Sequence, residues 1–279
     1  MKRPRRRVRT PRSELIFNYG FAAFLVVYSL VPFFWLMISA FDTKPQLWLT
    51  PLEFTFQNFV NFFTVEKGLL WMTNSLIYAV GTVSLVLLAS ALGGYMLSRL
   101  NFWWKTPFLY FIILIRVIPN TTYLVPLFKL ISGLGLMDTY FAVILVDASG
   151  DIPIALWLMK TFYDTIQPEL EEAVWMDGGS RWTSLTRVVF PLSAPAAAAV
   201  AIITFRGSWG TFLMPVLFIT SNDKLPLGVA IFRAYITSQH IDYGFLAALA
   251  VVYIIPTIVL VLYARRHLIK SFNLAGVTG

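Results

Sequence analysis

Long apolar runs separated by short polar stretches dominate the chain. A membrane-crossing helix needs about 20 mainly apolar residues. Six segments meet that length, at about 17–41, 72–98, 107–131, 139–162, 185–206 and 244–264, and the fifth continues weakly to Ile219. The pattern therefore predicts an all-α polytopic membrane protein with six transmembrane helices. Prolines fall inside several runs: Pro32, Pro119, Pro126, Pro153, Pro195 and Pro256. Packed neighbours accommodate such breaks inside a bilayer. Gly93-Gly94 and the small residues of 194–201 offer faces for close helix packing. The first run, 19–41, has 23 residues and contains Phe33, Phe34 and Trp35. A cleaved signal core is about 7–15 residues and ends at small residues, so this run reads as a retained first span.

Composition agrees with the pattern. Of 279 residues, 58% are hydrophobic and 13% charged, against about 25% charged in soluble domains. Mean hydropathy is +0.71. The absence of cysteine excludes a disulfide framework, a thiol nucleophile and a thiolate zinc site.

The net charge of +8 is lopsided, because Lys2, Arg3, Arg5, Arg6, Arg7, Arg9 and Arg12 open the chain. Such an arm can bind nucleic acid. Ahead of an apolar run it serves better as an orientation signal, so no nucleic-acid partner is expected. With both ends in the cytoplasm, the inner side also holds Arg99, Lys105, Lys160, Arg181, Arg187, Arg265, Arg266 and Lys270, fifteen basic residues in all. The outer side holds five: Lys44, Lys67, Lys129, Lys224 and Arg233. This excess predicts two cytoplasmic termini. Residues 1–16 then form a basic cytoplasmic arm, and 17–279 form one transmembrane domain.

The inner loop at about 163–184 is long and dense in charge. Its local chemistry predicts a short helix at about 168–178. Pro168 suits a first helical position. Glu169, Glu171 and Glu172 favour the positive end of the helix dipole. Gly178 and Gly179 supply a stop, and Ser180 can cap the next helix.

The chain has no Gly-x-x-x-x-Gly-Lys-[Ser/Thr] sequence, so no phosphate loop of that kind is expected. Its two histidines, His240 and His267, are far apart, and neither His-Glu-x-x-His nor Gly-x-Ser-x-Gly occurs. No catalytic residue and no metal site are expected. Three charges fall inside predicted spans: Arg116, Asp147 and Asp151. Intramembrane charges are costly and face protein or water. Asp147 and Asp151, four apart, share a helix face, where both carboxylates could face Arg116. The cluster reads either as a structural fix of helix register or as part of a translocation path or gate. It also lends some support to an ion-driven secondary transporter, although no internal repeat of the kind many carriers show is visible. A membrane enzyme or assembly scaffold is a further alternative.

The loop motif narrows these readings. Glu172-Ala173-Val174, Gly178 and Phe190-Pro191-Leu192 resemble the "EAA" loop of binding-protein-dependent ABC importer permeases. Val174 stands for the motif's second alanine, and Gly179 stands where alanine often follows the glycine. Asn74-Ser75-Leu76, Tyr95 to Leu100, Ile118-Pro119, Ile131 to Leu136, Gly207 to Phe212, Leu225-Pro226-Leu227-Gly228 and Ala275-Gly276-Val277 extend the resemblance. They are similar to the sugar-importer branch, particularly the smaller membrane subunit of maltose-type systems.

The resemblance implies a type I ABC importer permease fold in a bacterial or archaeal cytoplasmic membrane. It implies a second homologous permease subunit and two ATPase subunits, with ATP and Mg held on those partners and no cofactor on this chain. It implies an extracytoplasmic solute-binding protein that delivers a sugar or sugar-like solute. It assigns ATPase coupling to Glu172, Ala173, Asp177 and Gly178. It assigns contact with the binding protein to the outer loop at about 220–243, which carries Asp223, Lys224 and Arg233.

Overall fold

The computed structural model describes residues 12–45, 53–64, 67–237 and 242–275. Residues 1–11 of the basic arm therefore lie outside the described residues, as do His240 and Gly276-Val277. The described residues are predominantly helical, with a single isolated bridge between Asp42 and Phe54.

The first span is α1 (Arg12–Ala40). The most apolar stretch of α1, within 17–40, is 0% buried. It packs chiefly on the last helix, leaving Phe21, Phe24, Val27 and Val31 exposed. After α2 (Gln57–Thr64), the second span is α3 (Gly68–Arg99). It begins four residues before the expected start at 72, in the outer loop.

The expected single span at 107–131 is corrected to two half-helices, α4 (Lys105–Ile115) and α5 (Leu124–Gly133). Between them lie non-helical backbone and a short 3-10 turn, Asn120–Tyr123. Three successive i→i−3 bonds, from the amides of Arg116, Val117 and Ile118, tighten the end of α4. Pro119 then biases Ile118 away from the helical region. Apolar periodicity continues through the break because it does not register backbone geometry.

The fourth span, α6 (Tyr140–Tyr163), is capped by the Thr139 hydroxyl, which accepts from the Ala142 amide. It forms the most extensive helix pair with α3. A Cβ on Gly94 would lie 3.0 Å from Met159 Cβ and 3.1 Å from the Lys160 amide nitrogen. Glycine there lets the two backbones approach.

The loop helix is α7 (Glu169–Met176). The expected fifth span, 185–206, is also interrupted. It begins with α8 (Arg181–Ser184), continues as a π-type stretch and α9 (Phe190–Leu192), and turns 73° into α10 (Ala194–Trp209). Pro195 explains the corner: it has no amide hydrogen, and its ring opposes the carbonyl four residues back, on Pro191. Beyond α10 lies α11 (Leu213–Phe218). The last elements are α12 (Leu227–Thr237) and α13 (Tyr243–Ala275).

The described residues thus hold four uninterrupted helices long and apolar enough to cross a membrane, or five if the bent pair counts as one. The expected third crossing, 107–131, has no uninterrupted helix of that length among the described residues.

Candidate functional site

The loop helix α7 is built as its residues dictate. Pro168 precedes it, and the Glu171 and Glu172 amides donate to the Pro168 carbonyl. At the other end Gly178 adopts φ +81°. The Gly178 amide donates to Trp175 O at 3.0 Å and the Gly179 amide to Val174 O at 2.8 Å, the paired bonds of a Schellman stop. The Ser180 hydroxyl accepts from the Thr183 amide at 3.2 Å and caps α8.

The two faces of α7 differ. Glu172, Ala173, Asp177 and Gly178 are all exposed, and Met176 beside them is 88% exposed. Glu171 is 1% exposed. Tyr95 OH donates to one of its oxygens at 2.6 Å, and Arg99 Nε donates to the other at 2.5 Å. Arg99 also donates to the Ile166 carbonyl at 3.0 Å. Nearby, the Ser98 hydroxyl donates to Asp164, which pairs with Lys160. These polar contacts bind α7 to the C-terminal end of α3, which is itself tied to the C-terminal end of α6. Sequence reading named Glu171 only as a first-turn acid, and Tyr95 and Arg99 only within the resembled stretch, with Arg99 also a topology signal; it missed their pairing. The available signal was Tyr95 and Arg99 at helical spacing opposite a surplus of first-turn acids.

The mid-bundle charges surround a cavity of about 430 Å³. Its walls come from the break after α4 (Ile115, Arg116, Ile118), from α6 (Asp147 to Asp151) and from the α10–α11 corner (Gly207, Ser208, Met214). Arg116 Nη2 lies 3.2 Å from Asp151 Oδ1. The expectation that both carboxylates face Arg116 is met only by Asp151. Asp147 Oδ2 is buried without a hydrogen-bond partner. Four residues of helical spacing place the two acids on one side of α6, but α4 stops at the level of Asp151.

The outer loop is folded onto the bundle rather than free. Asn74 donates to the carbonyls of Asp223 and Leu225 at 2.8 and 3.0 Å, and Ser75 accepts from the Leu227 amide at 2.9 Å. Asp223 pairs with Lys67 at 2.7 Å, with both exposed. Lys224 pairs with Asp138 at 3.0 Å, and Arg233 donates to Asn222. The Ser221 hydroxyl and amide, with Lys224 assisting, hold the Asp138 carboxyl well below the usual carboxylate range. Residues 238–241 of this loop lie outside the described residues.

Together, the apolar helices define a multi-pass membrane protein, with one exposed loop helix held by its back face. The model of the family "Binding-protein-dependent transport system inner membrane component" matches residues 86–273, and the chain belongs to that family. It is a membrane permease subunit of an ABC importer in the cytoplasmic membrane, not an enzyme; ATP hydrolysis belongs to a separate subunit. An arabinooligosaccharides transport system permease protein of Halalkalibacterium halodurans is 31% identical, over 95% of this chain and 96% of that protein. A trehalose/maltose transport system permease protein of Thermococcus litoralis is 26% identical, over 92% and 95%. Among solved structures, a bacterial ABC transporter that imports the acidic polysaccharide alginate has the same fold. Its TM-score is 0.80 at 21% identity, over 92% of this chain and 98% of that one.

Proposed function

We propose that this chain is one of two membrane-spanning subunits of a sugar importer, with six spans and both termini in the cytoplasm. The broken third segment completes the sixth crossing, and the fifteen-to-five basic asymmetry supports the orientation. Residues 17–279 form the permease unit behind the basic arm 1–16. The solute class follows from relatives named for arabinooligosaccharides, trehalose/maltose and sulfoquinovosyl glycerol transport.

In this reading α7 is the coupling helix. Glu172, Ala173, Asp177 and Gly178 enter a cleft of an ATPase subunit that binds ATP and Mg. The observation that carries it is the two-faced build of α7: an exposed outer face on a back face locked to α3 through Glu171, Tyr95 and Arg99. A push on the outer face then reaches the bundle without being absorbed at the loop. The cavity around Arg116, Asp147 and Asp151 lies on the translocation path. The outer loop around Asp223, Lys224 and Arg233 meets the solute-binding protein. Its ion pairs to Lys67 and Asp138 make it a formed surface rather than a loose strap.

Co-expression with a second permease subunit, two ATPase subunits and a binding protein should yield one complex. In proteoliposomes it should take up sugar only with ATP and the binding protein. A chain that purifies without an ATPase and transports alone contradicts the proposal and favours a secondary carrier.

A further inference from the structure

Asp138 lies in the turn between α5 and α6 with φ +59°, a conformation that is costly for most side chains and open to Asp and Asn. Its amide donates to the Phe218 carbonyl at the end of α11, at 2.8 Å. Its carboxylate reaches the base of the outer loop, 82 and 83 positions on. Oδ1 accepts from the Thr220 and Ser221 amides at 3.0 and 2.9 Å. Oδ2 accepts from the Ser221 hydroxyl at 2.5 Å and from Lys224 Nζ at 3.0 Å. Lys224 Nζ also donates to the Asp138 carbonyl. Each carboxylate oxygen therefore serves two donors, and three loop residues depend on one side chain.

A second set of contacts holds the same loop from α3. Tyr140 OH donates to Asn74 Oδ1 at 2.7 Å and so orients the Asn74 amide that holds the Asp223 and Leu225 carbonyls. Tyr78 OH donates to the Lys224 carbonyl at 2.9 Å. These bonds fix where the backbone passes. Of the groups in the two sets, only Asp138 holds loop side chains, so Asp138 decides where the Lys224 ammonium points.

A partner that meets one loop conformation binds with its intrinsic dissociation constant divided by the fraction of loop in that conformation. Loosening the loop raises the apparent constant and leaves the events after contact unchanged. We infer that Asp138 is a positioning residue for the outer contact surface: it holds residues 220–224 in the conformation that the solute-binding protein meets, and so sets the affinity of that contact. The contact itself rests on the importer reading above; the ordering of the loop by Asp138 does not.

Asp138→Asn tests this with little backbone strain, because Asn also tolerates the left-handed region. It keeps an acceptor for the two amides but turns an NH2 group toward the Lys224 ammonium and the Ser221 hydroxyl. Thr220→Cys places a nitroxide on an exposed side chain of a cysteine-free sequence and spares the Thr220 amide. In the complete importer in nanodiscs, with partner subunits free of reactive thiols, adding Asp138→Asn should make the nitroxide more mobile. Without the label, the complex is trapped with ADP and vanadate and titrated with fluorescent binding protein in the absence of solute. Asp138→Asn should weaken binding about tenfold, as when about a tenth of the loop population stays competent. Saturation at a single binding protein per complex, and ATP hydrolysis without binding protein, should stay at the wild-type level. Ser221→Ala, which removes one donor, should shift the affinity in the same direction by less, and it carries the test if Asp138→Asn does not assemble. Unchanged mobility, unchanged affinity, or lowered saturation at wild-type affinity would overturn the inference. A wild-type complex that captures no binding protein contradicts the importer reading alone, and the nitroxide then decides for or against Asp138.

Discussion

At the inner end of the bundle, Glu171 is 1% exposed and each of its oxygens has a donor, from Tyr95 and from Arg99. At mid-bundle, Asp151 faces Arg116 across 3.2 Å with the arginine 38% exposed, and Asp147 keeps one oxygen without a partner. The chemistry is the same, carboxylate against guanidinium, but the accounting of hydrogen bonds differs. A closed network rigidifies what it joins, and an open one retains capacity to bind. The first suits a part that transmits displacement, the second a part that meets solute.

The difference can be broken most forcefully at Glu171. Glu171→Ala leaves Arg99 without its carboxylate in a nearly dry setting, a change that costs about 3–5 kcal/mol in comparable buried pairs. Recovery of the assembled complex and its thermal midpoint should both fall sharply. If Asp151→Ala lowers them as much, the two clusters are not different in kind.

Next comes the exposed side of α7. Gly178→Asp imposes a side chain on a residue at φ +81°, a conformation that costs an L-residue about 1–2 kcal/mol. It also adds charge to the docking face. Uptake and solute-stimulated ATP hydrolysis should fall together while the subunit stays in the membrane. Glu172→Lys, exposed and outside the Glu171 contacts, should do the same without lowering the thermal midpoint. Wild-type uptake and hydrolysis in both variants would remove the coupling assignment.

Smaller effects are expected at the cavity. Asp151→Asn and Arg116→Gln split a pair that is less sealed than Glu171 and Arg99, with side chains 22% and 38% exposed, so the loss of stability should be smaller. Assembly should persist while transport rate or solute preference changes. Reduced recovery with unaltered transport per complex would make the cluster a structural one.

The smallest effect sharpens the account of the loop itself. A Cβ on Gly179 would stand 2.5 Å from Val174 Cγ1 and 2.8 Å from the Val174 carbonyl oxygen. The two departures from the resembled loop motif therefore touch each other. Gly179→Ala alone should destabilise α7, and Val174→Ala should restore part of the loss, with a coupling of about 0.5–1 kcal/mol in a double-mutant cycle. Strict additivity would mean the two substitutions are unrelated.

Local chemistry made α7 legible from the residues alone. Pro168, the Gly178 stop and the Ser180 cap each act within a few positions, and the structure places each at the helix end expected of it. The membrane class was equally legible, because it needs only composition and run length. The interruptions were not. Residues 107–131 are apolar on both sides of Pro119, and hydropathy is silent about whether a proline bends, kinks or ends a helix. The division of labour between Glu171 and Glu172 was also hidden. Neighbouring residues sit about 100° apart on a helix, and only the position of Arg99 on α3 decides which one is buried. The fold of the outer loop depends on Asn74, about 150 positions from the carbonyls it holds. No pattern within the loop carries that information.

The central claim is that α7 is the contact through which ATPase closure reaches the bundle. A single thiol at Ala173, introduced into a chain without cysteine, tests it directly. With matched thiols on the cleft of the ATPase subunit, Ala173→Cys should form a specific disulfide in the assembled importer, and uptake should stop until the bond is reduced. An Ala173→Cys thiol that remains freely reactive toward bulk reagents in the intact, transporting complex, with no capture of the ATPase, would contradict the account.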